Sequence, residues 1–397
     1  MKRHKVIRIT TVPISINKIL VGQLAYLNQF YEVIGVSSFV EKDFQEIEER
    51  EGIRMIDIPM VRTINFRKDI IALKRLVELF KKEKPDIVHT HTPKAGLLGM
   101  IASKIAGVPV RLHTVGGMPL MEIKGIKLKI LRQTEKLTYK LAHRIYPNST
   151  GLATYIIENK FTNPEKIKVI ANGSSNGIDL EYYKKDFPNS VEKANELRES
   201  LGYSKSDFIF CFIGRLAKEK GIEELVEAFL KLKQEMPISK IKLLLIGTLE
   251  QVNGPVSEET VTFINNSDDI KFPGRTDDVR LYLQMIDALI LPTYREGFPN
   301  ILLQAGAMSV PVIATDINGC NEIIDPNKNG LLIKVKDTTD LYEKMKYMYE
   351  EEQVRIDFGK AIRKKVEQKF NNKLVWDSIK EEYDYWINFI TTQKCKQ

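Results

Sequence analysis

Cysteine is scarce in this 397-residue chain: Cys211, Cys320 and Cys395 stand far apart and are odd in number, with no Cys-x-x-Cys and no Cys/His cluster. That pattern argues against a disulfide framework and a cysteine-built zinc site, and it suits a reducing cytoplasm. Long apolar runs are missing too. No stretch reaches the roughly 18 apolar residues of a membrane-spanning helix. The basic start Met1-Lys2-Arg3-His4-Lys5 leads into Val6–Val12, which is broken by Arg8 and too short for the core of a secretion signal. No repeat of solenoid period occurs. Neither a recognition-helix motif nor an aromatic-basic RNA signature is present, so nucleic acid is not an expected partner.

What is present is a globular composition, 43% hydrophobic and 28% charged, at a length for which two domains are the natural expectation. The net charge of +8 is unevenly placed: residues 1–150 carry 26 Lys/Arg against 14 Asp/Glu, a net of +12, leaving −4 for the remainder. A basic first part by itself predicts an anionic partner: nucleic acid, a phospholipid surface or a phosphorylated substrate.

The first part alternates strand and helix patterns. Strands are predicted at Val6–Thr11, Glu32–Ser37, Ile87–His91, Val110–Thr114 and Arg144–Pro147, with helices at Gln23–Phe30, Lys68–Lys82 and Leu97–Ala106. A second series begins near Phe208. Its strands are Phe208–Gly214, Ile241–Gly247, Ile270–Phe272, Ala288–Leu291, Val312–Ala314 and Gly330–Ile333. Its helices are Glu223–Gln234, Val279–Met285, Asn300–Met308 and Thr339–Tyr349. Such alternation predicts parallel sheets covered by helices. The polar segment Asn172–Lys205 reads as the connection between two doubly wound domains. Leu374–Ile390 reads as a helix with Trp376, Tyr383, Trp386 and Ile387 on one face.

Three loops at strand ends carry candidate chemistry. In Gly214-Arg215-Leu216-Ala217-Lys218-Glu219-Lys220-Gly221, two cations, Arg215 and Lys220, precede a helix, an arrangement that suits a diphosphate. Taken alone, this is equally well a solvated charged loop. Leu244–Gly247 and Phe272-Pro273-Gly274-Arg275 are strand ends with glycine turns, and the backbone near Arg275 could approach a base or ribose. The stretch Tyr294-Arg295-Glu296-Gly297-Phe298-Pro299-Asn300 runs from a strand into a helix carrying Gln304. Glu296 is placed to accept hydrogen bonds from sugar hydroxyls and Gln304 to meet a ribose. A helix-start acid that merely complements the dipole is the plainer alternative for Glu296.

Gly214–Gly221, Glu296–Gln304 and Asp316–Glu322 resemble the C-terminal domain of retaining GT-B glycosyltransferases of family 4, of the bacterial surface-polysaccharide type. Asp86–Gly96 and Val169–Asp179 resemble its N-terminal domain. The resemblance implies an α/β fold of two Rossmann-like domains facing across a cleft. Residues 1–185 would form the acceptor side, 200–372 the nucleotide-sugar side, and 373–397 a helix returning to the first domain. It implies a UDP-type donor as co-substrate, no cofactor and no metal, with Arg215 and Lys220 standing in the metal's place. Gly214, Arg215, Lys220, Arg275, Phe298, Pro299, Asn300 and Gln304 would bind the donor. Glu296, Arg215 and Lys220 would act in catalysis.

Two positions depart from the family's pattern. The usual Glu-x7-Glu ends here in Gln304. Gly116 stands where an active-site histidine is common, which leaves His113 and His91 as candidates. His89 and His91 share a strand face, but with no acidic or cysteine partner nearby they do not read as a metal pair. Met121–Arg144 carries 7 Lys/Arg against 2 Asp/Glu, interleaved with apolar residues, and reads either as a core-facing helix or as a contact with an anionic membrane. The expected activity is a cytoplasmic, peripheral-membrane transfer of sugar to a lipid-linked glycan. The alternatives are a nucleotide-sugar epimerase of the same fold, or a binding protein whose active site has decayed.

Overall fold

The computed structural model describes residues 3–63, 65–117, 125–238, 240–252 and 254–394. The chain divides into two compact units, Met1–Gly177 with Asn372–Gln397, and Ile178–Asn371. Each is built on a six-stranded parallel sheet.

In the first unit the strands are β1 Lys5–Ile9, β2 Glu32–Ser37, β3 Arg54–Asp57, β4 Ile87–His91, β5 Val110–Val115 and β6 Arg144–Pro147, in the order β3-β2-β1-β4-β5-β6. The second unit has β7 Phe208–Ile213, β8 Ile241–Ile246, β9 Ile270–Gly274, β10 Ala288–Leu291, β11 Val312–Thr315 and β12 Leu331–Ile333, in the order β12-β11-β10-β7-β8-β9. Central strands such as β7, Phe-Ile-Phe-Cys-Phe-Ile, are apolar throughout because helices cover both faces of the sheet. Chain order reverses between β1 and β4, and again between β7 and β10. Such reversals open crevices at the strands' carboxyl ends, where open α/β sheets receive ligands.

The segment Asn172–Lys205 is not a free connection. The crossing falls at Gly177/Ile178, ahead of the predicted boundary after residue 185. The helix Ser190–Ser200 then packs on the helix Arg280–Met285 and places Ala194 in the second unit's core. Its polar composition hides a single buried stripe. The helix Asn372–Lys394 belongs to the first unit, burying Val375, Ile379, Tyr383, Trp386 and Ile387 among residues of β1, β2, β5 and β6.

The basic segment predicted from Met121 begins in residues 121–124, outside the described residues. From Gly125 to Leu141 it is a helix. Glu135, Thr138 and Tyr139 are buried. Ile126, Ile130 and Leu137 are exposed in a stripe beside Lys129, Lys136 and Lys140, with Ile126 at 77% exposure. Among the described residues, no helix is long and apolar enough to cross a membrane.

Candidate active site

The second unit gathers most of the sequence-predicted residues at its β7/β10 switch point. After β7 the chain runs through Gly214 and Arg215 into a short 3-10 turn, Lys218–Lys220, and then the helix Ile222–Glu235. Gly221 joins them with φ of 70°, and a Cβ there would lie 2.1 Å from the carbonyl oxygen of Pro292, just beyond β10. Only glycine allows the two loops to approach so closely.

The loops are then tied by charge. Lys220 Nζ lies 2.5 Å from Glu296 Oε1. Arg215 bonds Glu250 at 2.5 Å and also bonds Glu219. The other oxygen of Glu219 accepts from Arg295 Nε at 3.0 Å. Glu250, Arg215, Glu219 and Arg295 therefore alternate in one series of ion pairs, and Lys220–Glu296 forms a separate pair. Burial alone would raise the Glu219 carboxyl, but the hydrogen bond from Arg295 and the charges of Arg295, Arg215 and Lys220 outweigh it and hold the group below its usual range.

Beside this cluster, Gly214, Arg215, Gly247, Thr248, Arg275 and Thr276 line a pocket of about 280 Å³ between the ends of β7, β8 and β9. Gly214, Arg215 and Arg275 are thus brought together, as are Lys220 and Glu296. Pro299 is the N-cap of the helix Asn300–Ala307, with Asn300 as its first residue. Gln304 is half-buried and donates from Nε2 to the Tyr183 hydroxyl at 2.8 Å.

Phe298 does not join the site. Its side chain is 8% exposed and packs on Phe370 at 5.4 Å between ring centroids, because the residue next to the turn points back into the core. Glu219, Glu250, Arg295 and Tyr183 were not anticipated as site residues. Their only sequence signal is position at strand ends or near the unit's start, which becomes meaningful once the strand order is known.

In the first unit, His113 lies in the core. In the β4/β5 register it lies opposite Thr90, whose hydroxyl it meets at 2.8 Å. Its ring fills the space that a side chain at Gly96 would need. Burial lowers its pKa to about 4, so it is a neutral core residue. His89 and His91 occupy the other face and stack at 4.8 Å. Burial first, then the charge of Arg8, holds both well below the usual histidine range. Arg8 Nη1 donates to the Tyr383 hydroxyl at 2.7 Å, so that hydroxyl's own proton goes to His89 Nδ1, also at 2.7 Å. His89 Nε2–H then donates to Thr114 at 2.8 Å. Among the described residues, no group of three or more His, Cys, Asp or Glu side chains is placed to hold a metal.

Two family models match this chain: Glycosyltransferase Family 4 over residues 22–181, and Glycosyl transferases group 1 over residues 193–365. A capsular polysaccharide biosynthesis glycosyltransferase, CapM of Staphylococcus aureus, is 32% identical over 98% of both chains. The chain belongs to this glycosyltransferase family. At 29% identity over 84% of both chains it is similar to the UDP-Gal:alpha-D-GlcNAc-diphosphoundecaprenol alpha-1,3-galactosyltransferase of Escherichia coli. Solved structures agree on the fold. A glycosyltransferase from Rickettsia africae superposes with a TM-score of 0.79 at 20% identity, covering 98% of this chain and 99% of that one. Anabaena Alr3699/HepE in complex with UDP and glucose superposes at 0.78 with 18% identity, covering 96% and 100%. The two doubly wound sheets are those of a GT-B glycosyltransferase.

Proposed function

We propose that this glycosyltransferase is metal-independent and retaining, and that it moves a hexosyl or N-acetylhexosaminyl group from a UDP-linked donor to a lipid-linked glycan during surface-polysaccharide assembly. The observation that carries the reading is the Lys220–Glu296 pair at the β7/β10 switch point, beside the pocket that holds Arg215 and Arg275. A base and ribose fit the 280 Å³ pocket, the diphosphate falls to Arg215 and Lys220, and Glu296 is left for the sugar hydroxyls. Donor and acceptor chemistry is supported by the Escherichia coli relative, named for a UDP-sugar donor and a diphosphoundecaprenol acceptor, and by the UDP bound to HepE.

As the bond from the anomeric carbon to the diphosphate oxygen breaks, negative charge grows on the departing UDP. The acceptor hydroxyl forms the new bond to that carbon and passes its proton to an oxygen of the departing diphosphate. Groups already aimed at such growing charge supply the largest catalytic contribution in most enzymes. Here Glu219, Glu250 and Glu296 hold the cations in position before any ligand arrives. Among nucleotide sugars tested singly, UDP-sugars are expected to raise the melting temperature most, since a ligand at 100 times its Kd adds about 2.7 kcal/mol. Turnover should survive EDTA, and the product should keep the donor's anomeric configuration by NMR. An inverted product or loss of activity on chelation would refute the corresponding element.

The exposed stripe Ile126, Ile130 and Leu137, flanked by Lys129, Lys136 and Lys140, supports a peripheral contact with an anionic bilayer, where a lipid-linked acceptor resides. Each basic group near such a surface contributes about 1 kcal/mol. Ile126→Asp with Lys129→Glu is expected to weaken co-sedimentation with vesicles rich in anionic phospholipid at least tenfold, and to leave UDP-sugar binding intact. Equal sedimentation of variant and parent would remove this helix from the contact.

A further inference from the structure

The other switch point, between β1 and β4, carries a site of its own. The loops after these strands frame a pocket of about 210 Å³ lined by Thr10, Ser15, His91, Thr92, Gly116 and Ser175, among others. The helix Pro93–Ile105 begins in its wall with no acidic residue in its first turn, so its dipole presents a positive end, although Ala95 N–H already donates to Thr11 Oγ1 and Gly96 N–H to the Thr92 carbonyl.

His91 is 8% exposed and lines this pocket. Its Nε2 meets Arg8 Nη2 at 2.7 Å. A guanidinium can only donate, so Nε2 accepts and the ring proton sits on Nδ1. That Nδ1–H has no hydrogen-bond partner among the described residues.

Behind His91, the Arg8 guanidinium is fully buried. Its partners are the Tyr383 hydroxyl, the Gln23 amide oxygen and His91, each at 2.7 Å, and its Nε has none. None of these is a carboxylate, whereas buried charges are ordinarily paired. A buried guanidinium without a carboxylate partner, a pocket-lining histidine with an unpartnered ring N–H and a helix N-terminus all point to the same ligand charge.

We propose that this pocket is a phosphate-binding subsite, which takes the phosphate ester that links the acceptor sugar to its carrier. The His91 Nδ1–H, the Ser15 hydroxyl and the Lys94 backbone N–H donate to the phosphate oxygens, and Arg8 supplies the balancing charge. This rests on the reading of the chain as a transferase to a lipid-linked acceptor. His91 here binds the ligand directly; Arg8 is a positioning residue that fixes the imidazole tautomer.

Inorganic pyrophosphate, titrated calorimetrically into the full chain, is expected to fill two sites, one at Lys220 and one at His91. Lys220→Ala should retain the second and His91→Phe the first. In transfer assays, a short polyprenyl diphospho-sugar is expected to show a KM at least tenfold below that of the same sugar on an uncharged alkyl chain. His91→Phe should bring that ratio close to one, and Ser15→Ala should shrink it several-fold, which provides a reading should the histidine variant fail to fold. The subsite is overturned by a single pyrophosphate that survives His91→Phe and vanishes in Lys220→Ala, or by a KM ratio that neither variant moves. Inhibition by inorganic phosphate as strong as by the polyprenyl diphosphate would overturn the assignment to a carrier-linked ester. Absence of transfer to either acceptor, with pyrophosphate still bound at His91, would count against the transferase reading and leave the subsite standing.

Discussion

Arg215→Ala and Lys220→Ala are each expected to lower kcat by about 10²–10³, the usual cost of removing one preorganised donor from a developing anion. Both side chains lie partly exposed at the edge of the sheet rather than in its core, so the variants should unfold near the parent's temperature. The two effects should differ in kind. Arg215 offers a planar fork and also lines the 280 Å³ pocket, so its loss should raise the donor KM as well. Lys220 is a point charge held against Glu296, and its loss should fall mainly on kcat. Arg215→Lys keeps the charge without the fork and should lie between. Near-parental turnover in both alanine variants would end the diphosphate assignment.

Gly221→Ala is expected to be strongly destabilising. The left-handed backbone costs a side chain about 1–2 kcal/mol, and a Cβ placed 2.1 Å from the Pro292 carbonyl oxygen forces a shift that adds about 1–3 kcal/mol. The displaced groups are backbone atoms beyond β10, so the strain cannot be absorbed by a rotamer change. Gly202→Ala provides the control: its φ is 80°, but nothing lies within 4 Å of the added methyl. Chemical denaturation should give a clearly larger loss for Gly221 than for Gly202. Equal losses would mean that the loops do not meet closely. Because Gly221 follows Lys220, the variant should also lose activity at temperatures where it remains folded.

Much of the fold was legible because its strands are short apolar runs bounded by glycine and proline. β3 escaped because Arg54 and Asp57 flank two apolar residues at a sheet edge, too few for an alternation to register. The helix Glu352–Lys369 escaped because it buries only Phe358, Gly359, Ile362 and Val366, a stripe too narrow for a period to emerge from its charged residues. Within the site, residues adjacent in sequence to a strand end could be read directly. Glu250 and Glu219 could not, since their roles depend on β8 and β10 lying on either side of β7. The place of His113 stayed open for a related reason. Which face a strand residue takes follows from register, and register placed it with Thr90 against the helices rather than with His91. Phe298 shows the same limit at a turn, where a loop motif says nothing of which side chains return to the core.

The helix Asn372–Lys394 has a consequence for how the protein is made. It closes the core of the first unit, yet it is translated only after all of Ile178–Asn371. On the ribosome the first 177 residues must therefore wait, with the cores around Tyr31 and Tyr146 open, while the second unit is already complete in sequence. Domains ordinarily mature in the order of synthesis; here the later unit can finish first. Until Tyr383 arrives, Arg8 and His89 lack the hydroxyl that joins them. Until that helix is made, the nascent first unit thus exposes an apolar surface that invites chaperone binding.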